Sequence, residues 1–487
     1  MKIGLISLGC PKNLVDSEVM LGLAQQAGHE LTRNASEADV LVVNTCAFID
    51  SAKQESIDTI LEMAQYKTRG ACTRLVVTGC MAERYRDALI KEIPEIDAVL
   101  GTGEVPDIVR AIGAGARLQA VPSAPAPLQF FRTNASTVSE AASTLSEAAS
   151  TLSEAGNTLS EAAITSRSRP TYLYGADTPR LLATPRHYAY IKIAEGCDYK
   201  CAFCIIPTLR GAYRSRSSDS ILREARMLAA QGVKELLLIS QDTTFYGNDR
   251  QERGALARLL RELNAVDGLA WIRLLYLYPT TIDDGTLAAM AECEKVCKYV
   301  DLPLQHASNP VLKRMRRPGT RQGYDALLAR IRERVPGVAL RTTFIVGFPG
   351  EAESDVDELC AFVRDQTFDH VGVFTYSHED GTSAFHLPDD VPARAKATRR
   401  ARVMRLQKGL VRTRQQARIG QRARIVVDGP SSDHDLVLKG RLMTQAPDID
   451  AVVYLTECDP SSFKAGDFTD VDIVDAREYD LIARPVL

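Results

Sequence analysis

The 487-residue sequence lacks three features, and each absence removes a class of protein. It has no run of about 18 uncharged apolar residues, so no membrane-spanning helix and no membrane partner are expected. Its first residues, MKIGLISLGCPKN, lack the charged flank, long apolar stretch and small-residue cleavage site of a secretory signal, which predicts a soluble cytoplasmic protein. It has no excess of one charge: 59 Lys and Arg against 62 Asp and Glu leave −3, which excludes a polycation built to coat nucleic acid or an anionic membrane. What is present is an ordinary globular composition, 45% hydrophobic and 25% charged, over a length that suits two to four domains at roughly 100–200 residues each. Eleven cysteines, an odd number and several at ligand spacing, fit metal or cluster chemistry better than a disulfide framework.

The apolar rhythm divides the chain. Over residues 1–120, KIGLISLGC, DVLVVNTC and RLVVTGC each precede a helical stretch, which predicts a parallel α/β domain. Residues 121–185 change composition, and 135–162 are four tandem heptads, ASTVSEA, ASTLSEA, ASTLSEA and GNTLSEA. Each heptad has one branched apolar residue where a coiled-coil seam needs two, so this is read as a low-complexity insert within a linker. Over 186–415, YAYIKI, KELLLIS, WIRLLYL, YVDLPL, LRTTFIV and HVGVFTY alternate with helices, as in a partial (β/α)6 barrel. Residues 416–487 read as short strands of a small β-barrel. Between the last two, residues 391–426 contain twelve Lys and Arg and no acid, read as a solvated connector; residues 427–487 hold 13 acids and 5 bases, a net −8.

Two sets of cysteines carry chemistry. Cys197, Cys201 and Cys204 stand as CxxxCxxC just after the first barrel strand, where such folds place their active groups. Three thiolates on one loop can hold three irons of a [4Fe-4S] cluster, and the lack of a fourth nearby Cys or His leaves one iron open and favours that cluster over the alternative, a tetrahedral zinc site. Cys10, Cys46 and Cys80 each end one strand of the first domain, at separations of 36 and 34 residues, which is one strand and helix apiece. Ligands of open α/β sheets bind beyond that edge. Two readings stand for this triad, a second cluster site or three buried structural cysteines; its turn neighbours Gly9, Asn44, Thr45 and Gly79 favour ligands. Cys72, Cys293, Cys297, Cys360 and Cys458 are assigned no role.

The triple-cysteine loop EGCDYKCAFC, with Phe203 before its third cysteine and a partial barrel after it, resembles the radical S-adenosylmethionine superfamily. That resemblance implies that S-adenosylmethionine chelates the open iron and is cleaved to a 5′-deoxyadenosyl radical. It also implies cofactor contacts from Ser240, Gln241 and Asp242 after the second strand and from Gly347 and Glu351 in IVGFPGE. The whole order, three-cysteine α/β domain, radical barrel and small TRAM-like β-barrel, resembles the methylthiotransferases. The family implies two [4Fe-4S] clusters, the auxiliary one on Cys10, Cys46 and Cys80, with a sulfur donor and an electron donor as partners, and no catalytic group beyond the cluster ligands.

SLGCPKNLVDSE, LYLYP and LPLQHASNPVLKRMRRPG are similar to the branch that modifies an aspartate β-carbon of ribosomal small-subunit protein twelve. The branch that modifies tRNA adenosine usually differs at Pro11 and Lys12 and at Gln305 and His306. The acidic C-terminal module suits a basic protein partner, with RNA contact secondary. Radical abstraction asks nothing of an acid–base pair, so His306 and His378 need no proton-transfer role. The rivals are tRNA adenosine methylthiolation and a non-catalytic iron-sulfur nucleic-acid-binding regulator.

Overall fold

The computed structural model describes residues 1–113, 170–431 and 437–486, and the heptads of 135–162 lie outside them. The chain forms two compact units. One gathers Met1–Thr184, Glu195–Arg216 and Glu379–Phe385; the other gathers Pro185–Ala194, Ser217–His378 and His386–Leu487.

The first unit is built on a five-stranded sheet in the order β2-β1-β3-β4-β5: β1 (Lys2–Ser7), β2 (Glu30–Leu31), β3 (Val40–Thr45), β4 (Arg74–Gly79) and β5 (Ala98–Leu100). Every pairing is parallel, as the alternation predicts. The sequence pattern shows three of these strands; β2 and β5 are edges of two and three residues, too short to carry a period. Every residue of β3 is buried, which is why VLVVNT reads as an unbroken β-branched run. Leu41, Val43, Ile60, Leu75 and Val77 are wholly buried in the core, each contributing roughly 1.5–3 kcal/mol. Helices Pro11–Gln26, Asp50–Ala64 and Cys80–Glu92 follow β1, β3 and β4. A two-residue ribbon, β7 (Ala194–Glu195) with β8 (Arg214–Ser215), flanks the segment that carries the CxxxCxxC loop.

The second unit contains the six expected barrel strands: β6 (Tyr188–Lys192), β9 (Glu235–Ile239), β10 (Trp271–Leu274), β11 (Tyr299–Asp301), β12 (Ala339–Val346) and β13 (His370–Thr375). They form two parallel three-stranded sheets, β10-β9-β6 and β11-β12-β13. The Leu277 amide donates to the Asp301 carbonyl at 2.8 Å, bridging the segments that bear β10 and β11. After the helix Ala393–Gln416, a closed barrel runs β14 (Arg422–Pro430), β15 (Leu438–Leu442), β16 (Val453–Leu455), β18 (Asp480–Pro485) and β17 (Phe468–Arg477). The sequence shows four of those strands. The fifth, β18, closes the barrel by pairing parallel to β16 and antiparallel to β17.

This small barrel is fastened to the six parallel strands, mostly near their amino ends. Wholly buried Arg273 meets Glu235 at 2.7 Å, and Arg441 meets Glu235 and Asp428, both at 2.8 Å. His187 meets Asp428 at 2.8 Å, and Asp450 accepts from Tyr299 at 2.6 Å. Such pairs are retained because every buried charge has an answering one. Asp428 and Asp450 are therefore internal, and the −8 of the C-terminal module overstates what it presents to a partner.

Candidate functional site

The carboxyl edge of the N-terminal sheet gathers Cys10, Cys46 and Cys80. Cys10 caps the helix Pro11–Gln26, Cys46 follows β3 directly, and Cys80 opens the helix Cys80–Glu92. The turn at Gly9 has φ +86°, and a Cβ there would come within 2.8 Å of Cys46 Cβ and 3.0 Å of its sulfur. Gly9 is thus needed twice over: for a left-handed backbone and for the close approach of a second cysteine.

A polar web inside this edge holds the three strand ends together. Asn13 donates to the carbonyls of Leu8, at 3.1 Å, and Thr45, at 2.8 Å, while its own oxygen stands 3.7 Å from the Cys80 sulfur. Asn44 donates to the Asn13 carbonyl and to Ser17, both at 2.8 Å. The Thr45 hydroxyl donates to the Thr78 carbonyl at 2.6 Å. Ser56 both accepts from the Cys46 amide and donates to its carbonyl. Into this web comes Arg210, wholly buried, from the helical turn after the CxxxCxxC loop. It pairs with Asp16 at 2.7 Å and Glu195 at 3.3 Å, donates to Asn13, and lies 3.7 Å from the Cys80 sulfur.

Burial pushes the Cys46 thiol up to about 12, with Cys80 and Cys10 adding to the effect. Burial also raises Cys80, against the pull of Arg210. Two buried thiols that resist ionisation, with a third beside them, call for a positive centre, and a metal inverts that logic by deprotonating its thiols outright. Among the described residues no group of three His, Cys, Asp or Glu is arranged to hold a single metal ion. A four-iron cluster makes a different demand, one thiolate per iron, so its ligands stand farther apart than those of one tetrahedral ion. The donor set of each triad, three cysteines and nothing else, fits that group.

Cys197, Cys201 and Cys204 lie in the same compact unit, on one loop, and all three are partly exposed. The Cys204 amide donates to the Cys201 carbonyl and the Cys197 amide to the Gly211 carbonyl, both at 3.1 Å. Gly211 follows Arg210, so adjacent residues hold the loop by its backbone and reach Cys80 by a side chain. None of the eleven cysteines is in a disulfide.

In the second unit, Ser240, Gln241 and Asp242 follow β9, and Gly347 and Glu351 follow β12, all at carboxyl ends of barrel strands. The wholly buried Asp242 carboxylate accepts from the amides of Thr244 and Phe245 and from Thr281, closing a turn. Glu351 accepts from the Gly347 amide at 2.8 Å and Arg399 at 2.9 Å, and stands 3.4 Å from His306. These two carboxylates shape their loops. Ser240 is wholly buried, its hydroxyl 3.4 Å from that of Thr243. His306 is wholly buried and accepts from the Ser308 amide at 2.9 Å, in keeping with a structural role.

Family models match most of the chain: the radical SAM superfamily over residues 191–363, the uncharacterized protein family UPF0004 over 2–101 and the TRAM domain over 419–486. A ribosomal protein uS12 methylthiotransferase RimO from Koribacter versatilis is 46% identical over 490 residues, covering 99% of this chain and 96% of its own. One from Pelotomaculum thermopropionicum is 43% identical over 487 residues, covering 100% of both. The chain belongs to the ribosomal protein uS12 methylthiotransferase family. It is a radical S-adenosylmethionine enzyme, and membership brings an iron-sulfur cluster and S-adenosylmethionine with it. Among solved structures it is similar to a radical S-adenosylmethionine methyltransferase, TsrM, from Kitasatospora setae, at 16% identity and a TM-score of 0.49, covering 77% of this chain and 72% of that one.

The site residues that sequence reasoning missed are Asn13, Asp16, Ser17 and Arg210. Three of them lie in a stretch quoted for another reason, SLGCPKNLVDSE. The available signal was a run of polar residues, Asn13, Asp16, Ser17 and Glu18, in the first two turns of a helix that follows a buried strand.

Proposed function

We propose that this methylthiotransferase adds a methylthio group to the β-carbon of an aspartate of ribosomal protein uS12, using two [4Fe-4S] clusters in the cytoplasm. One cluster belongs on Cys197, Cys201 and Cys204, with S-adenosylmethionine against Ser240, Gln241 and the Gly347 to Glu351 loop; the other belongs on Cys10, Cys46 and Cys80. The observation that carries this reading is the close approach of Cys46 to Gly9 beside Cys10, with Cys80 tied to Asn13 in the same web.

When bound, these groups supply a carbon-centred radical able to take hydrogen from an unactivated C–H bond, together with the sulfur to be transferred. The protein's own residues do the rest. The part-exposed loop cysteines hold a cluster where a small-molecule cofactor reaches it. The strand-end triad, with Cys46 and Cys80 buried, keeps two of its three thiols away from water, with Arg210 donating toward the Cys80 sulfur and the Asn13 oxygen beside it. The exposed acids that remain on the C-terminal barrel, such as Asp470, suit a basic protein, and the arginines of Ala393–Gln416 suit RNA of the assembled subunit as a secondary contact. An electron donor and a sulfur donor complete the partners. Among the described residues no helix is long and apolar enough to cross a membrane.

The test is mass spectrometry of small-subunit ribosomal proteins and tRNA from cells with and without the gene. Loss of the methylthio mass from uS12 alone is expected. Its loss from a tRNA nucleoside instead overturns the substrate, and no change in either, with no 5′-deoxyadenosine released after reduction, points to a regulator.

A further inference from the structure

One buried cation in the first unit has a thiol among its partners. Arg210 splits its two ends: one terminal nitrogen is held by Asp16 and Glu195 at 2.7 and 3.3 Å, and the other is directed at Asn13 and the Cys80 sulfur at 3.7 Å. Arg210 and its partners Asp16, Asn13 and Glu195 are all buried. A guanidinium taken out of water is costly unless every donor has an answering group, and two carboxylates already answer one end. The other end is thus held in a fixed direction by its own ion pairs. The backbone of the next residue, Gly211, accepts from the Cys197 amide, so the position is set by the other cysteine loop.

We propose that Arg210 is the positioning residue of the auxiliary cluster, its guanidinium donating to the Cys80 sulfur and raising the cluster's reduction potential. The inference rests on the reading of Cys10, Cys46 and Cys80 as ligands. Hydrogen bonds and charge at the sulfurs are among the levers that set the potential of such clusters. A cation fixed at one ligand favours the reduced form, which carries one more negative charge. Asp16 and Glu195 temper that effect and keep the fork in place.

The test uses the full chain with Cys197, Cys201 and Cys204 replaced by Ala, so that only the auxiliary cluster is present, and follows its reduction by spectroscopically monitored titration. Arg210→Met is expected to lower the potential by at least tenfold in the ratio of reduced to oxidised cluster, about 59 mV for one electron. Arg210→Lys, which keeps the charge but not the fork, is expected to lie between. Asp16→Asn, which removes a countercharge and keeps the shape, is expected to raise the potential, and it decides the matter if Arg210→Met fails to fold. Full iron content with unchanged potential in Asp16→Asn and in whichever Arg210 variant folds overturns the inference alone. Absence of any cluster from the parent triple variant overturns the ligand reading and the inference with it.

Discussion

The two cysteine triads solve one problem in opposite ways. Cys197, Cys201 and Cys204 come from one loop of eight residues, partly exposed and held by backbone hydrogen bonds. Cys10, Cys46 and Cys80 come from three strands and meet only because the sheet aligns their ends; Cys46 and Cys80 are buried, with side chains from three segments locking them. A loop triad needs little of the fold to bring its thiols together, and it leaves all three partly exposed. A strand-end triad needs the whole sheet first, and in exchange two of its three thiols, Cys46 and Cys80, are shielded from water.

Replacing one triad at a time separates them most sharply. Cys197, Cys201 and Cys204→Ala is expected to abolish 5′-deoxyadenosine formation entirely while roughly half the iron per chain remains. Cys10, Cys46 and Cys80→Ala is expected to keep reductive cleavage of S-adenosylmethionine and to lose methylthio product. Iron analysis and chromatography of the nucleoside check both; equal loss of cleavage in the two variants breaks the comparison.

Asn13→Ala comes next. It leaves the carbonyls of Leu8 and Thr45 without a donor, at about 1–3 kcal/mol for each buried group left unmade. Denaturant midpoints should fall, and iron should be lost from the strand-end triad while cofactor cleavage persists.

Gly9→Ala meets a φ of +86°, about 1–3 kcal/mol of backbone strain, and a methyl within 2.8 Å of Cys46 Cβ. The expected outcome is a lower unfolding midpoint with auxiliary iron lost before loop iron on titration with a chelator.

The smallest effect belongs to a control in the other unit. Burial works to raise the Asp428 carboxyl, but His187 and Arg441 outweigh it and hold it below the ordinary carboxylate range. A carboxyl lowered on folding contributes stability above its unfolded value, about 3.9, and loses it as pH falls through the lower folded value. Asp428→Asn in iron-free protein should therefore flatten the acid limb of the stability profile below about pH 4, read by urea midpoints, and leave reconstituted iron unchanged at both triads.

Legibility in the sequence followed the range of the interaction. The CxxxCxxC loop is local and reads directly. The strand-end triad reads through the repeat of strand and helix, although its members lie 36 and 34 residues apart. The six barrel strands read as apolar runs because parallel strands are buried on both faces. Arg210 does not read, because its partners Asp16 and Cys80 are 194 and 130 residues away and no period links them. Asp242 and Glu351 read as cofactor contacts only through the family resemblance, and the hydrogen bonds that hold them in their own turns do not read at all, because a carboxylate after a strand looks alike in either setting. Strand β18 escaped because DLIARP mixes charge with apolar residues and ends in proline. The C-terminal charge read too strongly, since summing residues does not show that Asp428 and Asp450 face inward.

The backbone passes from one compact unit to the other four times, at residues 184–185, 194–195, 216–217 and 378–379, and once more at 385–386. No single scissor cut therefore yields two self-sufficient pieces. A fragment ending at residue 184 keeps Cys10, Cys46 and Cys80 but strands Asp16 without Arg210 and Arg84 without Glu379, its partner at 2.8 Å. A fragment starting at 185 keeps every barrel strand and Glu195, but leaves Arg210 without Asp16 and Glu379 without Lys53 and Arg84. The polypeptide is stitched rather than strung, so recombination that exchanges either half intact must also exchange two short patches from the other.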